Sequence, residues 1–297
     1  MIFILLVCLI APILVWLYSN PRFINWLCWR IAARAKAFRF RHFPKRIILI
    51  RHGESQGNED ATMYSTKPDH AIGLTTRGQQ QARECGETLR KLFGDDESVM
   101  FYVSPFRRSR ETCELICKAF LPERILKVRE DPRIREQEWG NFQDAATRDT
   151  VVVERKKIGR FFYRFKDGES GADVYDRVSS FMESLYREME DCKMANANVC
   201  IVSHGLFVRL FLTRYYRWSV EKFHTLENFD NCGFCILERD NEKEKFVLKT
   251  ELKARSVEEE KEKVRAATRG SFSEQSFEAE AHPITNVADI PQEKPQN

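Results

Sequence analysis

The chain has 297 residues, 43% of them hydrophobic, with 22 Phe against only 13 Gly and 10 Pro. This excludes a collagen-like or wholly disordered polypeptide and leaves ample chain for a packed core. Its net charge of +4 hides an asymmetry: residues 20–46 contribute +8 with no acidic residue, so the remainder sums to −4, which argues against a general nucleic-acid binder.

Ile2–Tyr18 is an uncharged, almost wholly apolar run interrupted only by Pro12. As a helix it would span roughly 26 Å, just short of the ~30 Å hydrocarbon core. Arg22, Arg30, Arg34, Lys36, Arg39, Arg41, Lys45 and Arg46 follow the run and no charge precedes it. That asymmetry predicts a transmembrane anchor over 1–19 and a basic juxtamembrane segment over 20–45. It also predicts a single-pass membrane protein whose main body faces the cytosol. Trp26 and Trp29 suit a segment lying on anionic headgroups. A cleaved signal peptide is the competing reading, but it normally carries its charges before the apolar stretch.

From residue 46 the pattern changes. Ile47–Ile50, Val99–Val103, Ile125–Val128 and Val199–Val202 are short apolar runs of the kind that form buried parallel strands. Between them, Ala82, Cys85, Leu89 and Leu92 recur at helical spacing, as do Val174, Val178, Phe181 and Leu185, and Leu115, Ile116, Ala119 and Phe120 give a third stripe. The alternation predicts an α/β fold, a mostly parallel central sheet flanked by helices on both faces. Cys232–Leu237 and Phe246–Leu248 read as a closing antiparallel pair, which sets a folded domain over 46–250. Residues 251–297 are polar and expected to be mostly disordered. The nine Cys are scattered with a single CxxC, Cys232–Cys235, which predicts reduced thiols rather than a zinc site.

Ligands of open α/β sheets bind beyond the carboxyl ends of the strands. Here those ends carry Arg51-His52-Gly53-Glu54-Ser55 with Asn58, then Ser104-Pro105-Phe106-Arg107-Arg108, then Arg135-Glu136-Gln137-Glu138, and finally Ser203-His204-Gly205. A Gly after each His lets the backbone turn sharply towards a ligand. Guanidinium groups bind phosphate oxygens bidentately and His is a nucleophile near neutral pH. The chemistry pointed to is phosphoryl transfer onto a histidine.

At these residues the chain resembles the histidine phosphatase superfamily in its phosphoglycerate mutase-like branch. Arg51–Ser55 with Asn58 is similar to the family's nucleophile signature, and Leu74-Thr75-x-x-Gly78-x-x-Gln81-Ala82 to the helix after it. Ser104-Pro-x-x-Arg108 and Ser203-His204-Gly205 resemble the second arginine and second histidine motifs. The resemblance implies a phosphoglycerate mutase-like fold over about 46–240. It implies His52 as the residue phosphorylated, with Arg51, Arg108, His204 and Asn58 around the phosphate. Glu136 is implied as the acid that protonates the leaving oxygen, with Glu138 as its rival. It implies no cofactor and no metal, and as partner a small phosphorylated substrate, a phosphoprotein remaining open, with no nucleic acid.

The segment after Asn58, Glu59–Tyr64, lacks the Asn-Arg-Phe-x-Gly-Trp-like stretch of true mutases, which favours hydrolysis of a phosphomonoester. A mutase-type phosphoryl isomerase and a non-catalytic phosphate-binding scaffold are the alternatives. Lys156–Phe165 lies where family members carry a substrate-covering insertion. It is open to two readings: binding a second anionic group, or an amphipathic helix that packs Phe161, Phe162 and Phe165 while its charges stay wet. Gly168-Glu169-Ser170 is similar to a stretch near the pocket of related phosphatases, or simply opens a helix.

Overall fold

Strands that are apolar on both sides need a helical layer over each face. The computed structural model, which describes residues 16, 19–140, 145–190, 194 and 196–254, has both. Its strands are β1 (Arg46–Arg51), β2 (Ser98–Val103), β3 (Ile125–Glu130), β4 (Ala197–Ser203), β5 (Phe234–Asp240) and β6 (Lys245–Leu248). They form one sheet in the order β3-β2-β4-β1-β5-β6. The pairs β3–β2, β2–β4 and β4–β1 are parallel, and β5 and β6 are added antiparallel at one edge. The sequence expectation of a mostly parallel sheet with an antiparallel edge therefore holds.

Alternation along each strand divides the core. Ile47, Leu49, Met100, Tyr102, Val199 and Ile201 pack on one face, beneath α5 (Gly171–Glu190) and α6 (Gly205–Tyr216). Ile48, Ile50, Phe101, Val103, Cys200 and Val202 pack on the other, beneath α2 (Thr76–Leu92) and α3 (Arg107–Cys117). The stripe Val174, Val178, Phe181 and Leu185 is buried throughout, whereas Leu92 is exposed. β3 is the uncovered edge, and Leu126 and Val128 on it stay exposed.

The N-terminal expectation is corrected. Among the described residues no helix is long and apolar enough to cross a membrane. The first described helix, α1 (Pro21–Arg41), is the basic stretch expected beside the run and carries Arg22, Arg30, Arg34, Lys36, Arg39 and Arg41. Apart from Trp16, the run Ile2–Tyr18 lies outside the described residues, as does 255–297. The single-pass localisation is corrected on that finding, and the membrane as a partner has no support among the described residues. What α1 does is join the domain: Phe40 and the following Phe43 are buried in the core, against Phe246 and Tyr186. At the other end, Glu227 N–H donates to Lys253 O (3.1 Å), so the fold holds the chain a few residues past 250.

Candidate active site

The polar turns that follow β1, β2 and β4 abut. His52 N–H donates to Ser203 O (2.9 Å) and Ser104 N–H to Val202 O (3.0 Å). The turn after β1 is seated directly on the start of α2, where a Cβ on Gly78 would come within 2.0 Å of Glu54 O. Thr75 caps that helix by accepting the Gly78 N–H (2.9 Å), which explains why the second motif reads Thr-x-x-Gly.

His52 is buried, with Nδ1 2.7 Å from Gly53 O. A carbonyl only accepts, so Nδ1 carries the hydrogen and Nε2 keeps its lone pair. Burial, then the charges of Arg108 and Arg51, hold the imidazole pKa well below its ordinary value. The His204 ring meets it edge to face, centroids 5.1 Å apart. His204 is fully buried and its pKa is likewise pushed well down by burial and by Arg108. Its Nε2 lies 2.8 Å from Ser104 Oγ, while its buried Nδ1 has no hydrogen-bond partner and stands 3.7 Å from Glu136 Oε2.

The two arginines differ in support. Arg108, opening α3, is buried and bound by Asp69 through Oδ1 (2.6 Å) and through its carbonyl (2.9 Å). Burial works against its charge, but Asp69 outweighs it and raises the pKa. Arg51 gives Nη1 to Phe229 O (2.6 Å), and burial lowers its pKa. Asn58 is exposed at the rim, its Oδ1 accepting from Ser55 N–H and Asn231 Nδ2, each at 3.1 Å.

Glu136 sits beside His204 with its carboxyl raised above the usual range, burial being the main cause. Glu138 is exposed, and its backbone N–H holds Glu169 Oε2 (3.0 Å). Arg177 of α5 fixes the loop that carries Glu136. Its Nη1 donates to Arg133 O (2.7 Å) and Arg135 O (2.8 Å), and its Nη2 to Glu136 O (3.0 Å). Glu169 clamps the same guanidinium at 2.9 and 2.8 Å, so all five N–H groups are engaged. Sequence reasoning gave no role to Asp69 or Arg177. Asp69 has no spacing signal, whereas Arg177 stood out as a cation just before Val178 in an apolar stripe.

In Lys156–Phe165 the aromatic packing holds but the amphipathic helix does not, since α4 (Ala145–Ile158) ends at Ile158 and residues 159–165 form turn and loop. Phe161, Tyr163 and Phe165 are buried, Lys156 and Lys157 are exposed, and Arg164 pairs with Asp173 (2.7 Å); Phe162, against expectation, is exposed. Among the described residues no group of three or more His, Cys, Asp or Glu could hold a metal ion.

Two buried histidines, two arginines and a carboxyl thus converge beyond the strand ends, close enough for their charges to act on one another. A model of the histidine phosphatase superfamily, branch 1, matches residues 47–251. The chain belongs to that superfamily. Phosphatase chemistry comes with this membership. Among relatives, the chain is 49% identical to the phosphoglycerate mutase-like protein AT74H of Arabidopsis thaliana, over 66% of this chain and 74% of that protein. It is 31% identical to the broad-range acid phosphatase DET1 of Saccharomyces cerevisiae, over 70% and 90%. Of solved structures, a mycobacterial glucosyl-3-phosphoglycerate phosphatase complexed with VO3 superposes with a TM-score of 0.56. At 21% identity, over 70% of this chain and 99% of that one, it shares the histidine phosphatase fold.

Proposed function

We propose that the protein hydrolyses phosphomonoesters by passing the phosphoryl group through His52, with Glu136 as the acid and base. The state of His52 carries the proposal: a buried, neutral imidazole whose Nδ1 is spent on a carbonyl, leaving Nε2 as the nucleophile. Nε2 forms a bond to phosphorus as the phosphorus–oxygen bond to the alcohol breaks. The proton on Glu136 goes to the leaving oxygen. Water then attacks the phosphohistidine, gives its proton to the Glu136 carboxylate, and releases phosphate with His52 restored.

Arg51 and Arg108 supply the positive charge for the non-bridging oxygens. His204 adds a neutral donor. In this mechanism Ser104 Oγ donates to His204 Nε2 (2.8 Å). The imidazole hydrogen then sits on the unpartnered Nδ1, ready for a phosphoryl oxygen. Asn58 Nδ2 serves as a further donor at the rim. Glu136 is favoured over Glu138 because it is the one beside His204 with a raised carboxyl.

Hydrolysis is supported over isomerisation by the absent mutase segment after Asn58 and by the acid phosphatase relative. Incubation with 3-phosphoglycerate, read by phosphomolybdate and by NMR, tests it. Inorganic phosphate is expected from whatever turns over. Rapid formation of the 2-phospho isomer with little free phosphate would contradict it.

A further inference from the structure

Arg108 is the more deeply buried of the two arginines assigned to phosphate, and Asp69, the carboxylate that meets it, lies outside it at 33% exposure. The contact uses one end of the guanidinium. Nη1 gives one hydrogen to Asp69 Oδ1 (2.6 Å) and one to the Asp69 carbonyl (2.9 Å), and Nη2 reaches Oδ2 at 3.4 Å. Among the described residues nothing accepts from Nε or from the second hydrogen of Nη2. Those two N–H groups share one edge of the guanidinium, the kind of edge that takes two phosphate oxygens. The group lies among the reacting residues: its carbon is 5.0 Å from the Phe106 ring centroid, which is 5.2 Å from that of His204. Asp69 is also set in place by its own segment. Just after the turn Asp69–Ala71, Leu74 N–H donates to Glu111 Oε2 (2.7 Å), and Glu111 pairs with Arg107, beside Arg108 in α3.

Arg51, by contrast, is held by a neutral group, Phe229 O (2.6 Å). The Asp69 carbonyl would likewise anchor Arg108 by itself, so what the side chain adds is a negative charge. Turnover ends with inorganic phosphate between both arginines, and each full positive charge a few ångströms away slows its departure. We propose that Asp69 is a positioning residue that lets this site release its product: it fixes Arg108 by one end and offsets the charge of that arginine, which weakens the hold on inorganic phosphate. The inference rests on the phosphohistidine function proposed above, in which Arg108 receives the phosphoryl oxygens.

The test titrates inorganic phosphate as a competitive inhibitor of p-nitrophenyl phosphate hydrolysis. It uses the full-length wild type, Asp69→Asn and Asp69→Glu at one pH. Asparagine keeps a side-chain oxygen for Nη1 and leaves the backbone carbonyl in place, so it removes the charge alone. The inhibition constant does not depend on how much of a preparation is folded. Asp69→Asn is expected to lower it by about tenfold, the worth of one partly screened charge at short range. Asp69→Glu, which keeps the charge, should stay within about threefold of the wild type. A residue that only supported Arg108 would raise the constant when altered. A constant that rises or does not move in Asp69→Asn, or an equal fall in Asp69→Glu, overturns the inference while phosphate still competes in the wild type. If phosphate does not compete in the wild type, or His52→Ala turns over at the wild-type rate, the phosphohistidine function fails and this inference with it.

Discussion

His52 and Glu136 share one pocket and are perturbed in opposite directions, and both shifts serve the same reaction. The nucleophile needs His52 neutral, a form present above its lowered pKa. The acid needs Glu136 protonated, a form present below its raised pKa. For an alkyl ester, kcat/KM should therefore persist at pH below the ordinary histidine value near 6.5 and decline as the pH rises through the raised pKa of Glu136. Glu136→Gln should slow alkyl phosphates by roughly 10²–10⁴ while aryl phosphates, whose leaving groups need little protonation, fall far less. A pH series with both ester classes reads this directly; equal slowing would leave Glu136 a positioning role and bring Glu138 forward. The histidines and arginines were legible because each follows an apolar strand. Asp69 was not, since its pairing with Arg108 joins residues 39 apart in the chain.

At the scale of elements, the strand runs and helical stripes set the architecture because burial on two faces writes continuous apolar runs and burial on one writes a 3.6-residue period. β3 was legible as a strand from Ile125–Val128, but its place at the sheet edge was not, since pairing order is not written in periodicity. The loop carrying Glu136 has no regular element of its own and borrows rigidity from α5 through Arg177 and Glu169. Gly140, with φ near +83°, and Gly168 let that loop and the chain before α5 lie back to back; a Cβ at Gly140 would stand 2.1 Å from Lys166 O. Arg177→Gln leaves three carbonyls and Glu169 short of donors. It is expected to lower alkyl-ester turnover at least about tenfold more than aryl-ester turnover, because Glu136 drifts from the leaving oxygen. A loss that is equal for the two classes would make Arg177 a stability residue only, which thermal denaturation would then register.

For the whole molecule, charge counting singled out residues 20–46, yet the physical role of their end is packing. Phe43 is 5% exposed, and its ring meets Tyr186 of α5. Phe43→Ala should cost about 3–5 kcal/mol in urea or thermal unfolding, the usual loss for a buried phenylalanine; a change below about 1 kcal/mol would show that this segment is not part of the folded unit. The membrane expectation is corrected because no helix among the described residues is long and apolar enough to cross a membrane; the run Ile2–Tyr18 on which it rested lies, Trp16 apart, outside those residues. The reaction turns on one species, phosphohistidine on the intact enzyme. Mixing the full-length protein with p-nitrophenyl phosphate, quenching in alkaline denaturant within one turnover, and mapping the product by mass spectrometry should place a phosphoryl group on His52, attached at Nε2. Turnover that continues in His52→Ala, or label that accumulates on any other residue, would contradict the mechanism.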